Sequence, residues 1–254
     1  MTPAVTPAIR AELAPKGKLR VGINYGNFLL VARAAAGGEP RGIAPDLARE
    51  LGGRLGIGVD FVGFDTAGKM ADAVKTGVWD VAFLGAEPQR ASEIAFTAAY
   101  LEIPATYLVP AGSRIRALAD VDREGVRIAV AEKSAYDLYL SRNLRHARLV
   151  RAQGIDASYD LFVAEKLEAL SGLKPRLVID AESLPGARVL EGQFTAIQQS
   201  IGTPVARAAA AKVLREFVEE VKAAGFVAAA IARHGVRGVS VAPGSSQQRT
   251  RAVR

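Results

Sequence analysis

The chain has 254 residues, half of them apolar, and a net charge of +7, so it is long enough for one or two cored domains. Cysteine is absent and His146 and His234 lack ligand spacing; this excludes disulfides and thiolate catalysis, and neither a metal nor a cofactor is expected. The basic residues are scattered and do not interleave with the nine Phe, six Tyr and one Trp, which argues against a nucleic-acid partner.

The opening "MTPAVTPAIRAELAPKGKLR" lacks the apolar stretch of about seven residues that a signal peptide needs. No window of about 18 uncharged apolar residues occurs, so no segment is expected to span a membrane.

The predicted elements alternate. "KLRVGINYG" (18–26) reads as a buried strand running into a polar loop, and "APDLARELGGRLG" (44–56) as a helix with Leu47, Leu51 and Leu55 on one face. "IGVDFVGF" (57–64) is a strand, "TAGKMADAVKTG" (66–77) a helix, and "WDVAFLG" (79–85) a strand covered on both faces. After "AEPQR", with Arg90, comes a short helical stretch and then an aromatic strand end. "ATYLVPAGS" (105–113), "VRIAVAE" (126–132) and "ARLVRA" (147–152) read as strands. "SAYDLYLSRNL" (134–144) and "YDLFVAEKLEALSGL" (159–173) read as helices, and "ARVLEGQFTAIQQSIG" (187–202) as extended chain. Residues 204–225 and 226–235 are the last helices, and the tail from 243 is polar and basic. Strand–helix alternation predicts an α/β fold with parallel sheets.

Several motifs, in order, resemble one family. "GKLRVGI", "GIAPDLARELGGRLG", "AVKTGVWDVAFLG" and "EPQRASEIAFTAAY" are similar to the bacterial extracellular solute-binding proteins of family 3. "VRIAVAEKSAYDLYL" and "EKLEALSG" extend the likeness, which covers about 17–242. The resemblance implies a two-lobed type 2 periplasmic-binding-protein fold with a ligand cleft between the lobes. Lobe 1 would hold 17–108 plus 197–242, lobe 2 would hold 109–196, and 1–16 and 243–254 would be flexible termini. It also implies a monomer that takes up a carboxylate or amino-acid-like ligand and partners an ABC transporter permease. The location it implies is the periplasm, or the cytoplasm if Met1 is the natural start.

By the same resemblance Arg90 matches the arginine that grips a ligand carboxylate, which suits a planar guanidinium fork. Glu87 stands where a threonine is usual, and Ser134 stands where a threonine opens a helix, so that Ser134 is both an N-cap and a ligand contact. Lys133 replaces a glycine there, with Glu132 before it. Asn24, Tyr25 and Lys69 complete the expected ligand-binding set. Asp80 reads as support for a turn. The acidic residue that binds an ammonium in lobe 2 is replaced by Gly172 or Leu173, with Lys174 next. The ammonium partner is therefore Glu87 or Glu132, or the ligand is a plain anion. The alternatives are a cytoplasmic sensing module and a dehydratase-like enzyme with Glu87 or Glu132 as general acid.

Overall fold

The computed structural model describes residues 6–34 and 38–244. In chain order the first elements are α1 (Pro7–Leu13), β1 (Leu19–Asn24), α2 (Ile43–Leu55), β2 (Val59–Phe64), α3 (Ala67–Asp72) continued by a 3-10 turn, β3 (Val81–Gly85) and β4 (Ile94–Phe96). Then follow β5 (Leu101–Val109), β6 (Arg127–Ala131), α4 (Ala135–Asn143), β7 (Arg148–Ala152), α5 (Ile155–Ala164), β8 (Ala169–Leu173), α6 (Lys174–Glu182) and β9 (Arg188–Val189). The chain closes with β10 (Thr195–Pro204), α7 (Ala208–Ala223), α8 (Phe226–Arg233) and β11 (Ser240–Val241).

The chain divides into two compact units. Unit 1 holds residues up to Glu102, Gln198–Val236 and residues from Ser240 on; unit 2 holds Ile103–Ile197 and Arg237–Val239. The long strands β5 and β10 each pass from one unit into the other.

In unit 1, β1 pairs in parallel with β2 and β3, and β3 pairs antiparallel with β10. The β3 strand is buried throughout, as its apolar run predicts. Below it Met70, Val74, Trp79, Leu84 and Ile94 form a core, and the Trp79 indole donates to the Met70 carbonyl at 2.9 Å. Each large side chain buried in this way contributes about 1.5–3 kcal/mol. Helix α7 buries Ala210, Val213, Leu214, Phe217, Val218 and Val221, a stripe at helical spacing.

Beside this core, Asp80 is fully buried. Its carboxylate accepts from Arg20 Nη2 at 2.7 Å, from Arg20 Nε at 2.9 Å and from Arg207 Nη1 at 2.6 Å. Its role is wider than a turn support, because it ties β1, β3 and the start of α7 together.

Residues 6–16, expected within a flexible terminus, differ from that expectation. Thr6 caps α1, accepting from the Ile9 N–H at 3.3 Å, with Pro7 at the first turn. Ile9 and Leu13 are buried. The Glu12 carboxylate accepts the Ala210 N–H of α7 at 2.7 Å, an anion at a helix N-terminus. Residues 1–5 and 245–254 of the two expected termini lie outside the described residues.

In unit 2, β6 runs parallel between β7 and β8, and β8 pairs antiparallel with β5. Alternation puts Tyr107 and Ile128 in one core and Leu108 and Ala129 in another, as strand periodicity requires. The helix expected over 159–173 is corrected. Helix α5 ends at Ala164 and 169–173 is the strand β8. Lys166 takes φ 49, and its N–H and that of Leu167 donate to Val163 and Phe162 carbonyls, a left-handed helix stop without glycine.

Candidate functional site

In unit 1 the C-terminal ends of three parallel strands lie side by side, with Asn24 level with Phe64 and Gly22 level with Ala82. Ligands of open α/β sheets bind at such ends. Asn24 ends β1, and Tyr25, Lys69, Glu87 and Arg90 follow these strands in sequence. The stretch from Pro88 to Glu93 is a series of turns rather than a helix. The Arg90 N–H donates to the Glu87 carbonyl at 2.9 Å, and the Arg90 carbonyl accepts from Glu93 and Ile94.

Arg90 is 7% exposed, and its guanidinium donates to the Gly85 carbonyl at 2.7 Å. Burial pushes its pKa down to about 10, against the opposing pull of Glu87 and Asp72. It is still a cation at neutral pH. A buried cation is costly unless an anion or several acceptors meet it. Glu87 is half-buried, and its carbonyl closes the turn that sets Arg90 in place.

The other unit 1 residues have defined local partners. The Asn24 Oδ1 accepts the Gly26 N–H at 3.0 Å, so its side chain fixes the loop after β1. Tyr25 lies under Arg33, whose guanidinium carbon is 3.9 Å from the ring centroid. Its ring also rests on Gly63, where an added Cβ would be 2.2 Å from Tyr25 Cε2. Lys69 is exposed near the start of α3, its N–H donating to Thr66 Oγ1 at 3.2 Å.

In unit 2, β6 and β8 end next to each other and each is followed by a helix. Ser134 is buried and caps α4, its hydroxyl accepting the Asp137 N–H at 3.0 Å. The Asp137 carboxylate reaches back to the Lys133 N–H at 2.8 Å and is held by Arg151 at 3.0 Å. The two form a reciprocal cap. Lys133 has φ 54, a left-handed conformation that costs about 1–2 kcal/mol outside glycine. Its side chain is exposed. Glu132 is half-buried and accepts from the Gln153 amide. Leu173, at the expected ammonium-binding position, is an apolar residue 5% exposed, and the Lys174 ammonium donates weakly to the Gly192 carbonyl at 3.4 Å.

Each unit thus gathers its own predicted residues at one edge: Asn24, Tyr25, Lys69, Glu87 and Arg90 in unit 1, and Glu132, Lys133 and Ser134 in unit 2. A unit 2 cavity of about 400 Å³, lined by Arg123, Lys166 and Glu168 among others, holds none of them and opens at the starting ends of β6 and β8. Among the described residues no group of three or more His, Cys, Asp or Glu is placed to hold a metal ion. None of the described helices is long and apolar enough to cross a membrane.

The sequence model of the bacterial extracellular solute-binding proteins, family 3, matches residues 19–236. The chain belongs to that family. Its fold matches solved members of the two-lobed type 2 periplasmic-binding kind. One is a mutant of ArgBP from T. maritima, 20% identical with a TM-score of 0.73, covering 89% of this chain and 98% of that one. Another is an amino acid ABC transporter substrate-binding protein from Streptococcus pneumoniae bound to L-arginine, 16% identical with a TM-score of 0.73, covering 93% and 100%. A third is an ancestral amino acid-binding protein, a precursor of cyclohexadienyl dehydratase, 20% identical with a TM-score of 0.72, covering 87% and 97%. At these identities the likeness carries the fold alone. No curated protein sequence matches the chain.

Two polar features of unit 1 escaped the sequence reading. One is the Arg20–Asp80–Arg207 cluster, which joins residues too far apart in sequence to pair by spacing. The other is Gln199, buried in β10 at 5% exposure. Its one sequence signal is the paired glutamines Gln198–Gln199 within the returning strand.

Proposed function

We propose that this solute-binding protein captures a small carboxylate-bearing ligand, an amino acid or a related anion, outside the cytoplasm and delivers it to an ABC importer. The observation that carries the reading is Arg90: a guanidinium in a buried residue, at the strand-end edge of unit 1, with its planar fork suited to a carboxylate. Ser134 supports it from unit 2 as the cap of a nine-residue helix, whose first-turn N–H groups attract anions.

A binding role is preferred to a catalytic one. The dehydratase-like alternative needs Glu87 or Glu132 as a general acid. The Glu132 carboxylate is engaged by Gln153, and Glu87 sits in the turn that presents Arg90. The test is a thermal-shift screen of the purified chain against L-arginine, L-glutamate, succinate, acetate, phosphate and simple amines, since a ligand of the native state raises the melting temperature. The proposal expects a carboxylate among the stabilising compounds. Stabilisation by amines or phosphate and by no carboxylate would refute it.

A further inference from the structure

Unit 2 carries two neighbouring hollows. One, of about 400 Å³, is lined by Arg114, Asp120, Arg123, Glu124, Lys166 and Glu168 together with apolar side chains. The other, of about 220 Å³, is mostly apolar, with Pro110, Phe162, Leu167, Leu184 and Pro185 among its walls. The two share Pro110, Lys166 and Leu167, so a charged hollow and an apolar one meet at Lys166. Val126 and Glu168 of the larger hollow immediately precede β6 and β8. Ser134 follows β6 at its other end, so the length of that strand separates the hollows from the Ser134 edge.

Hydrogen bonds fix the walls. The Arg188 guanidinium donates to the Ile115 carbonyl at 3.0 Å and to the Ser113 carbonyl at 3.3 Å. The Asp120 carboxylate accepts the N–H groups of Arg116 and Ala117, both at 3.0 Å. The Lys166 carbonyl accepts from the Arg127 guanidinium at 3.1 Å. A formed hollow of about 300–1,000 Å³ with a few charged groups in a largely apolar surround is the usual shape of a small-molecule site.

The charges are unevenly matched. Asp120 pairs with Arg123, and Glu168 pairs with Arg127. Among the described residues, the Arg114, Glu124 and Lys166 side chains have no ion-pair partner, which leaves two cations against one anion. Lys166 also holds φ 49, where glycine is the usual helix stop and a lysine is strained. Strain kept at one residue points to a role for its side chain.

We infer that the joined hollows are a second ligand site, for an amphipathic carboxylate. Lys166 and Arg114 receive the acid head, and Phe162, Leu167 and Leu184 receive the apolar body. An alcohol of the same shape leaves the two cations unmatched, and an amine adds to their charge. The inference does not rest on the reading of Arg90.

The test titrates wild type, Arg90→Ala, Lys166→Gly and Arg114→Gln with phenylacetate, octanoate, phenylethanol and phenethylamine by calorimetry, and records melting curves without ligand. At least one of the two acids is expected to bind wild type and Arg90→Ala alike, and at least tenfold more tightly than the alcohol or the amine. Lys166→Gly and Arg114→Gln should each weaken that binding at least tenfold. The ligand-free melting temperature of Lys166→Gly should equal or exceed that of wild type, because glycine relieves the left-handed strain. A lower melting temperature with affinity kept would make Lys166 a structural residue and overturn the inference. Equal binding of the acid and the alcohol would overturn it too. If the acids bind Lys166→Gly as tightly as wild type but not Arg90→Ala, they occupy the unit 1 edge; the second site is refuted and Arg90 stands. If wild type binds neither acid, the second site is refuted, and Arg90 is judged by the screen of small carboxylates alone.

Discussion

The Arg90 guanidinium donates to the Gly85 carbonyl at 2.7 Å from a residue that is only 7% exposed. That bond fixes one edge of the fork and leaves the planar head at the carboxyl end of β3. Arg90→Lys keeps the charge and loses the fork geometry. Loss of one charge-assisted hydrogen bond corresponds to about 1.5 kcal/mol or more, so affinity for a carboxylate should fall about tenfold or further. Titration calorimetry of the variant checks this; unchanged affinity would mean that the fork does not touch the ligand.

Asp80 is the fully buried partner of Arg20 and Arg207. Hydrogen bonding to Asp80 raises the Arg20 pKa, so the bond favours the charged guanidinium. Asp80→Ala leaves two partly buried guanidinium groups without their carboxylate, and breaking such a pair costs about 3–5 kcal/mol. Urea denaturation should show a loss of this size. A loss below about 1 kcal/mol would place the cluster with ordinary surface pairs.

Much of the strand and helix alternation was legible in the sequence because most elements begin or end at glycine, proline or a hydroxyl cap. Where those signals were missing or misjudged, the reading failed. The stretch 159–173 keeps an amphipathic pattern throughout, and the break falls at Lys166 in a left-handed conformation, which nothing in that residue's chemistry announces. Helix α1 did carry its signal, Thr6 followed by Pro7, but lay in a segment taken for a tail. The expected site residues follow strand ends, so placing the strands placed them. Gln199 and the Asp80 cluster depend on antiparallel register and on contacts between distant segments, which spacing along one chain does not encode.

Lys133 has φ 54. Lys133→Gly relieves the left-handed strain but also gives up some order in the unfolded chain, so a net gain of about 0.5–1 kcal/mol is expected. Asp137 still accepts the backbone N–H at this position, so the cap survives. A fall in melting temperature would show that the lysine side chain contributes more than its conformation costs.

Gly63→Val should displace the Tyr25 ring, since even a Cβ there would lie 2.2 Å from Tyr25 Cε2. The displaced ring also loses its contact with Arg33. Overpacking of this kind costs about 1–3 kcal/mol, to be read from urea unfolding. A neutral result would mean that Tyr25 swings freely.

Glu168 accepts from Arg127 Nε and Nη2, both at 2.9 Å, and these bonds hold its pKa below the ordinary carboxyl value of 4.5. A depressed pKa in the folded state contributes stability above the unfolded pKa and loses it as pH falls through the folded one. Wild type should therefore lose melting temperature between about pH 5 and pH 3, and Glu168→Gln should show a shallower decline over that range. Parallel declines would remove Glu168 from the acid response.

Calorimetric titration of wild type and Arg90→Ala with the carboxylate that most stabilises wild type tests the central claim most directly. The account predicts binding by wild type and no measurable heat of binding by Arg90→Ala, with both proteins folded by circular dichroism. Full affinity in a folded Arg90→Ala variant would contradict it.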